Sequence, residues 1–143
     1  MRPLRVVIAD DHPPYRASLA RMLGENGIDV VAEASNGESA IRAVEETAPE
    51  VVVMDLSMPG LSGLEATRRL VDIAPSTRVL VLSVSAQDDD VSEAMLAGAH
   101  GYVLKEGPLD ELVVAIRAAA AGQSMVSPRV LPVYPADPTQ PAA

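Results

Sequence analysis

Five times along the chain a short apolar run ends in polar residues and gives way to a longer stretch with apolar positions three and four apart. The runs are Arg5-Val6-Val7-Ile8-Ala9, Val30-Val31-Ala32, Val51-Val52-Val53-Met54, Arg78-Val79-Leu80-Val81-Leu82-Ser83 and Gly101-Tyr102-Val103-Leu104. Continuous, β-branched runs of this kind predict strands buried on both faces.

The stretches between them predict helices. After a break at His12-Pro13-Pro14, Tyr15, Leu19, Met22 and Leu23 form the first apolar stripe, closed by Asn26-Gly27. Asn36-Gly37 would suit a hairpin turn, but Ala40, Ile41 and Val44 continue at helical spacing. Ser35 or Asn36 therefore caps a second helix that stops before Pro49. Ser62 with Glu65 has capping-box spacing and starts a third helix, whose buried face is expected at Leu64, Thr67, Leu70 and Val71. Asp88-Asp89-Asp90 favours a helix N-terminus. That fourth helix, 88–97, has a thin apolar face (Val91, Ala94, Met95) and is expected to be the least firmly packed. Pro108 suits the first turn of a fifth helix with the stripe Leu109, Leu112, Val113, Ile116, ended by Gly122.

Five βα units with crossovers of this length predict an α/β fold with a parallel sheet and helices on both faces. The expected form is a flavodoxin-like (βα)5 doubly wound sheet of strand order 2-1-3-4-5, with strands one and three side by side. Residues 1–123 form this domain. Residues 124–143, with Pro128, Pro132, Pro135, Pro138 and Pro141, read as a Pro-rich tail or interdomain linker, expected to be disordered.

Composition narrows the chemistry. A net charge of −9 speaks against this chain gripping DNA by itself, since phosphate binding needs a basic face. The chain has no Cys, which excludes disulfides, thiolate metal sites and Cys nucleophiles. No apolar run suits a membrane span, and the N-terminus does not read as a signal peptide, so a cytoplasmic location is expected. Of eleven basic residues a single one, Lys105, is lysine. A lone compact ammonium among guanidinium groups is a pointer to a special place.

In such a fold, ligands bind at the carboxyl ends of the strands. Asp10 and Asp11 follow strand one, Asp55 strand three, Ser83 strand four and Lys105 strand five. Taken singly, each has an ordinary reading: a helix cap, a turn residue, a strand-end hydroxyl, a solvated charge. His12 reads as a loop residue and Tyr102 as packing. Together the five make a site. Crowded carboxylates raise one another's pKa unless a cation sits among them, and oxygen ligands suit Mg²⁺, with Mn²⁺ also possible. A metal, an acid, a hydroxyl and an ammonium equip a site for phosphoryl transfer, in which an Asp carboxylate can itself be the nucleophile. There is no Gly-rich phosphate loop, so the phosphoryl donor is expected to come from outside.

Asp10-Asp11-His12-Pro13 with Arg16, Met54-Asp55-Leu56-Ser57-Met58-Pro59-Gly60 with Gly63-Leu64-Glu65, Ser83-Val84-Ser85, and Gly98-Ala99-His100-Gly101-Tyr102-Val103-Leu104-Lys105 resemble the receiver domain of bacterial two-component response regulators over about residues 4–122. The opening and the last block look most like the NarL/FixJ (LuxR-type) subgroup. The resemblance implies that Asp55 accepts a phosphoryl group from a sensor histidine kinase. It implies Mg²⁺ bound by Asp11, Asp55 and the backbone carbonyl of Ser57, with Asp10 acting through water. It also implies that Lys105 contacts the phosphoryl oxygens, that Ser83 and Tyr102 move as switch residues, and that Pro59 and Gly60 support the loop. The switched face would be the fourth helix, fifth strand and fifth helix, with a phosphorylation-dependent homodimer as one possible outcome. Such a receiver assists its own phosphorylation and dephosphorylation without being a conventional enzyme. Glu106 stands where many receivers have Pro, and Val84 where many have a smaller residue. Regulators of this subgroup usually continue into a helix-turn-helix DNA-binding domain. The expectation is a truncated regulator, the alternative a stand-alone receiver. Two competing readings are a phosphorylation-independent dimerisation or docking module, and a phosphatase. The second is weakened because no acid follows Asp55 before Glu65.

Overall fold

The computed structural model describes residues 2–126. Its elements are β1 (Arg5–Ala9), α1 (Pro13–Glu25), β2 (Asp29–Ala34), α2 (Gly37–Thr47), β3 (Val51–Asp55), α3 (Gly63–Ile73), β4 (Arg78–Ser83), α4 (Asp88–Leu96), β5 (Gly101–Leu104), α5 (Leu109–Ala120) and β6 (Met125–Val126). All strand pairs are parallel, in the order β2-β1-β3-β4-β5-β6. This is the expected doubly wound sheet with one strand added at its edge. Met125 and Val126 pair with Gly101 and Tyr102, so the sheet reaches three residues past the boundary drawn at residue 123. Of the expected tail, 127–143 lies outside the described residues.

The central strand explains the layering. Every residue of β3 is buried, and its side chains alternate between two cores. Val51 and Val53 join Ile8, Leu19, Leu23, Leu80, Leu112 and Ile116 beneath α1 and α5. Val52 and Met54 join Val7, Ala40, Val44, Ala66 and Leu70 beneath α2 and α3. A third, smaller cluster holds α4, which buries only Val91 and Ala94, against Val81, Ala99, Tyr102 and Leu104.

Three local expectations are corrected. Helix α1 begins at Pro13, because Pro13 and Pro14 occupy its first turn, where a missing N–H and a fixed φ cost nothing. They start the helix instead of breaking the chain before it. Strand β2 extends to both sides of Val30-Val31-Ala32, since pairing with β1 continues through Asp29, Glu33 and Ala34. In α3 the buried stripe is Gly63, Ala66, Thr67 and Leu70. Leu64 is half-buried, and Val71 lies one step round the helix and is 40% exposed. The caps agree better with the sequence. Asn36 closes a reciprocal capping box with Ser39, and the Ser62 hydroxyl accepts from the Glu65 N–H at 3.2 Å. The Glu65 carboxylate turns instead to Arg68 and Arg69.

Two glycines let the helices close on the end of β3. A Cβ at Gly63 would lie 1.9 Å from the backbone oxygen of Asp55, and one at Gly37 would lie 2.3 Å from the backbone oxygen of Leu61. Neither neighbour can move without shifting the loop that follows Asp55. Gly63→Ala is therefore expected to destabilise the fold by about 3 kcal/mol, the cost of forced overpacking. Gly24→Ala in α1, where no atom lies within 4 Å of the new Cβ, should leave stability unchanged or slightly raised. Denaturant unfolding of the two variants checks the contrast.

Candidate functional site

At the carboxyl end of the sheet, β1 and β3 are neighbours in register, Ala9 beside Met54. The chain leaves β1 at Asp10 and ends β3 at Asp55, so both acids arrive at one rim. Asp10, Asp11 and Asp55 each offer a carboxylate oxygen, and these oxygens lie within 4.8 Å of one another. Asp10 and Asp55 are buried, whereas Asp11 is exposed. Repulsion between the two buried carboxylates is about 3 kcal/mol at that separation and an effective dielectric of roughly 20.

Lys105, directly after β5, meets this charge. Its Nζ lies 2.7 Å from Asp10 Oδ2 and 3.5 Å from Asp55 Oδ2. The ammonium stands 4.8 Å from the centre of the Tyr15 ring, a cation–π contact. Burial pulls the Lys105 pKa down, but the contacts with Asp10 and Asp55 outweigh it and hold the group above its ordinary value. For Asp55 burial dominates and raises the carboxyl. Lys105 and the Ser57 N–H oppose that shift, and Asp10 adds to it. Three carboxylates against one ammonium leave the cluster short of positive charge. Asp10 Oδ2 is buried and, among the described residues, receives no well-directed hydrogen bond; the Lys105 ammonium lies 2.7 Å from it. A hard divalent cation fits both features, as all the side-chain donors are oxygens.

Backbone turns fix the acids. The Ser57 N–H donates to Asp55 Oδ1 at 3.2 Å, and the His12 N–H to Asp10 Oδ1 at 2.8 Å. Met58 is buried while Pro59 and Gly60 are exposed, and Gly60 adopts φ +70°, which carries the chain round toward α3.

Ser83 is placed differently. It is buried at the end of β4, beside the strand that bears Asp55. Its hydroxyl accepts from the Ser85 N–H at 3.1 Å and lies near the Tyr102 hydroxyl. The Tyr102 ring is fully buried under α4, and its hydroxyl donates to the Ser85 carbonyl at 2.7 Å. The Ser85 hydroxyl in turn donates to the Asp90 carboxylate in the first turn of α4. Val84, between the two serines, is 70% exposed.

Residues 6–117 match the response regulator receiver domain. The chain belongs to that family. This receiver is 41% identical over 128 residues to the response regulator GacA of Pseudomonas aeruginosa, covering 89% of this chain and 60% of GacA. It is 38% identical over 135 residues to the nitrate/nitrite response regulator protein NarL of Escherichia coli, covering 94% and 62%. The solved structure of a LuxR-family two-component response regulator from Aurantimonas sp. SI85-9A1 is similar at TM-score 0.87 and 38% identity, over 91% of this chain and 94% of that one. The receiver domain of the putative response regulator NarL from Mycobacterium tuberculosis gives 0.82 and 32%, over 86% and 100%. The receiver is thus of NarL/FixJ (LuxR) type. It spans about three-fifths of the length of the curated relatives it matches.

Sequence reasoning missed two residues that the geometry brings in. Tyr15 was visible only as a position on the α1 stripe, yet it backs Lys105. Glu33 follows the apolar part of β2 and gave no signal, yet it holds Arg16 beside Asp10.

The raised Asp55 carboxyl makes a prediction about stability without divalent ions. Its folded value lies above the unfolded value of about 3.9, so its contribution is present at low pH and is lost as pH rises through the folded value. Asp55→Asn removes this loss. The variant's advantage over the unmodified protein should be absent below about pH 3.9, grow above it, and level off once Asp55 is ionised in the fold. Denaturant unfolding in a chelator across this range measures it.

Proposed function

We propose that Asp55 is the phosphoacceptor of this receiver, and that phosphorylation by a sensor histidine kinase switches the face built from α4, β5 and α5. The observation that carries this reading is the convergence of Asp10, Asp11, Asp55 and Lys105, drawn from three loops onto one buried strand end.

Asp55 attacks the phosphorus of a phosphohistidine. A P–O bond to the carboxylate forms, the N–P bond breaks, and the imidazole leaves with the bonding electrons. Burial desolvates the attacking carboxylate, and the Ser57 N–H at Asp55 Oδ1 orients it and leaves Oδ2 facing Lys105. Lys105 starts on Asp10 and Asp55 and transfers its ammonium to the phosphoryl oxygens, where negative charge gathers. Asp11, Asp55 and the Ser57 backbone carbonyl are the ligands proposed for Mg²⁺, or Mn²⁺, with Asp10 acting through water. When bound, that ion supplies charge neutralisation at the transferring group. Pro59 and Gly60 shape the loop that presents this carbonyl.

The readout uses the polar chain beside the site. Ser83 turns its hydroxyl to the new acyl phosphate and gives up the Ser85 N–H. Ser85 carries the bonds to Tyr102 and Asp90, so the change passes to α4, which has few buried residues to resist it. In a longer protein the output is transcription through a C-terminal DNA-binding domain, with a phosphorylation-dependent homodimer as the active form. A similar receiver occurs in the solved structure of two RcsB dimers bound to two parallel DNAs.

Incubation with Mg²⁺ and acetyl phosphate should add the mass of one phosphoryl group, and Asp55→Asn should add none. Lys105→Ala should slow the transfer roughly 10²-fold, the scale for losing one charge-stabilising donor. Intact-mass spectrometry over time checks all three. Phosphorylation of Asp55→Asn to the same extent would contradict the assignment.

A further inference from the structure

Asp10 and Asp11 are neighbours in the chain, and neighbours on an extended strand point to opposite faces. Yet both reach the same cluster with Asp55. The backbone must therefore turn between them, and the peptide that joins them must be held in that turn. Its carbonyl, that of Asp10, lies just past the last β1–β3 pair and has no strand partner. Arg16 supplies one: Nη1 donates to the Asp10 carbonyl at 2.7 Å. Its Nε donates to Glu33 Oε1 at 3.1 Å, from the end of β2. The Arg16 side chain is only 18% exposed.

We infer that Arg16, oriented by Glu33, is a positioning residue that holds the Asp10–Asp11 peptide so that both carboxylates face the divalent ion; this rests on the metal-dependent reading of the site given above. The arrangement needs arginine and not simply positive charge. One planar guanidinium reaches two acceptors from different elements at once, which an ammonium on a flexible stem cannot match. Arg16 also sits next to Tyr15, which backs Lys105. The first turns of α1 thus brace both the acids and their counter-ion.

The test is Mg²⁺ titration of the 143-residue protein, followed by tyrosine fluorescence and, independently, by thermal shift. Arg16→Lys should weaken Mg²⁺ binding about 10- to 100-fold, the usual scale for a group supporting metal ligands. It should do so without loss of cooperative unfolding in the chelator. Glu33→Ala leaves Arg16 in place but unaligned and should give a smaller loss of affinity; it also keeps the inference falsifiable should Arg16→Lys fail to fold. Arg21→Lys, in the same helix with a 74% exposed side chain, is the control and should bind as the unmodified protein does. Unchanged Mg²⁺ affinity in folded Arg16→Lys, or in Glu33→Ala where Arg16→Lys does not fold, overturns the positioning role and leaves the phosphoacceptor reading intact. Absence of Mg²⁺ binding by the unmodified protein overturns both.

Discussion

Three carboxylates share one end of a buried sheet, and a single ammonium answers them within the chain. Asp10 and Asp55 repel across a space that water reaches poorly, and Lys105 holds the cluster together by bridging both. An unpaired buried carboxylate is costly, so the rest of the architecture must keep these groups from separating or turning away. Two Asx-type turns do this locally, each with a backbone N–H on a carboxylate. Tyr15 and Arg16 do it from the first turns of α1.

The apolar sheet supplies the rigidity on which this depends. β3 is buried throughout and feeds two separate cores, so Asp55 cannot move along the strand without emptying both. The glycines at 37 and 63 let α2 and α3 approach the loop after Asp55 more closely than any other residue would allow. On the other side the packing is thinner. α4 rests on a small cluster around Tyr102, and a chain of hydrogen bonds links Ser83, Ser85, Tyr102 and Asp90. A rigid acceptor beside a weakly held helix suits a site whose local charge change must alter a distant surface.

Much of this was legible in the residues. The long apolar runs at β1, β3, β4 and β5 left little choice of element, and their polar ends marked the rim. What escaped had physical causes. Pro13-Pro14 reads as a break unless the first helical turn is considered, where proline is well suited. Val71 fits an apolar stripe by spacing, but the helix turns a neighbouring row inward. β6 has only two residues, too few for any periodic signal, and exists because the β5 edge offers partners. Glu33 and Arg16 are seventeen residues apart and meet only once β2 lies beside β1.

The central claim is that Asp55 accepts a phosphoryl group beside a divalent ion held by its neighbouring acids. A crystal structure grown with Mg²⁺ and beryllofluoride tests it most directly. The account predicts beryllium bonded to Asp55 Oδ2, the ion bound by Asp11 and Asp55 oxygens with Asp10 reaching it through water, and Lys105 moved from Asp10 onto the fluorines. Beryllofluoride absent from Asp55, or an ion bound away from the three aspartates, would contradict it.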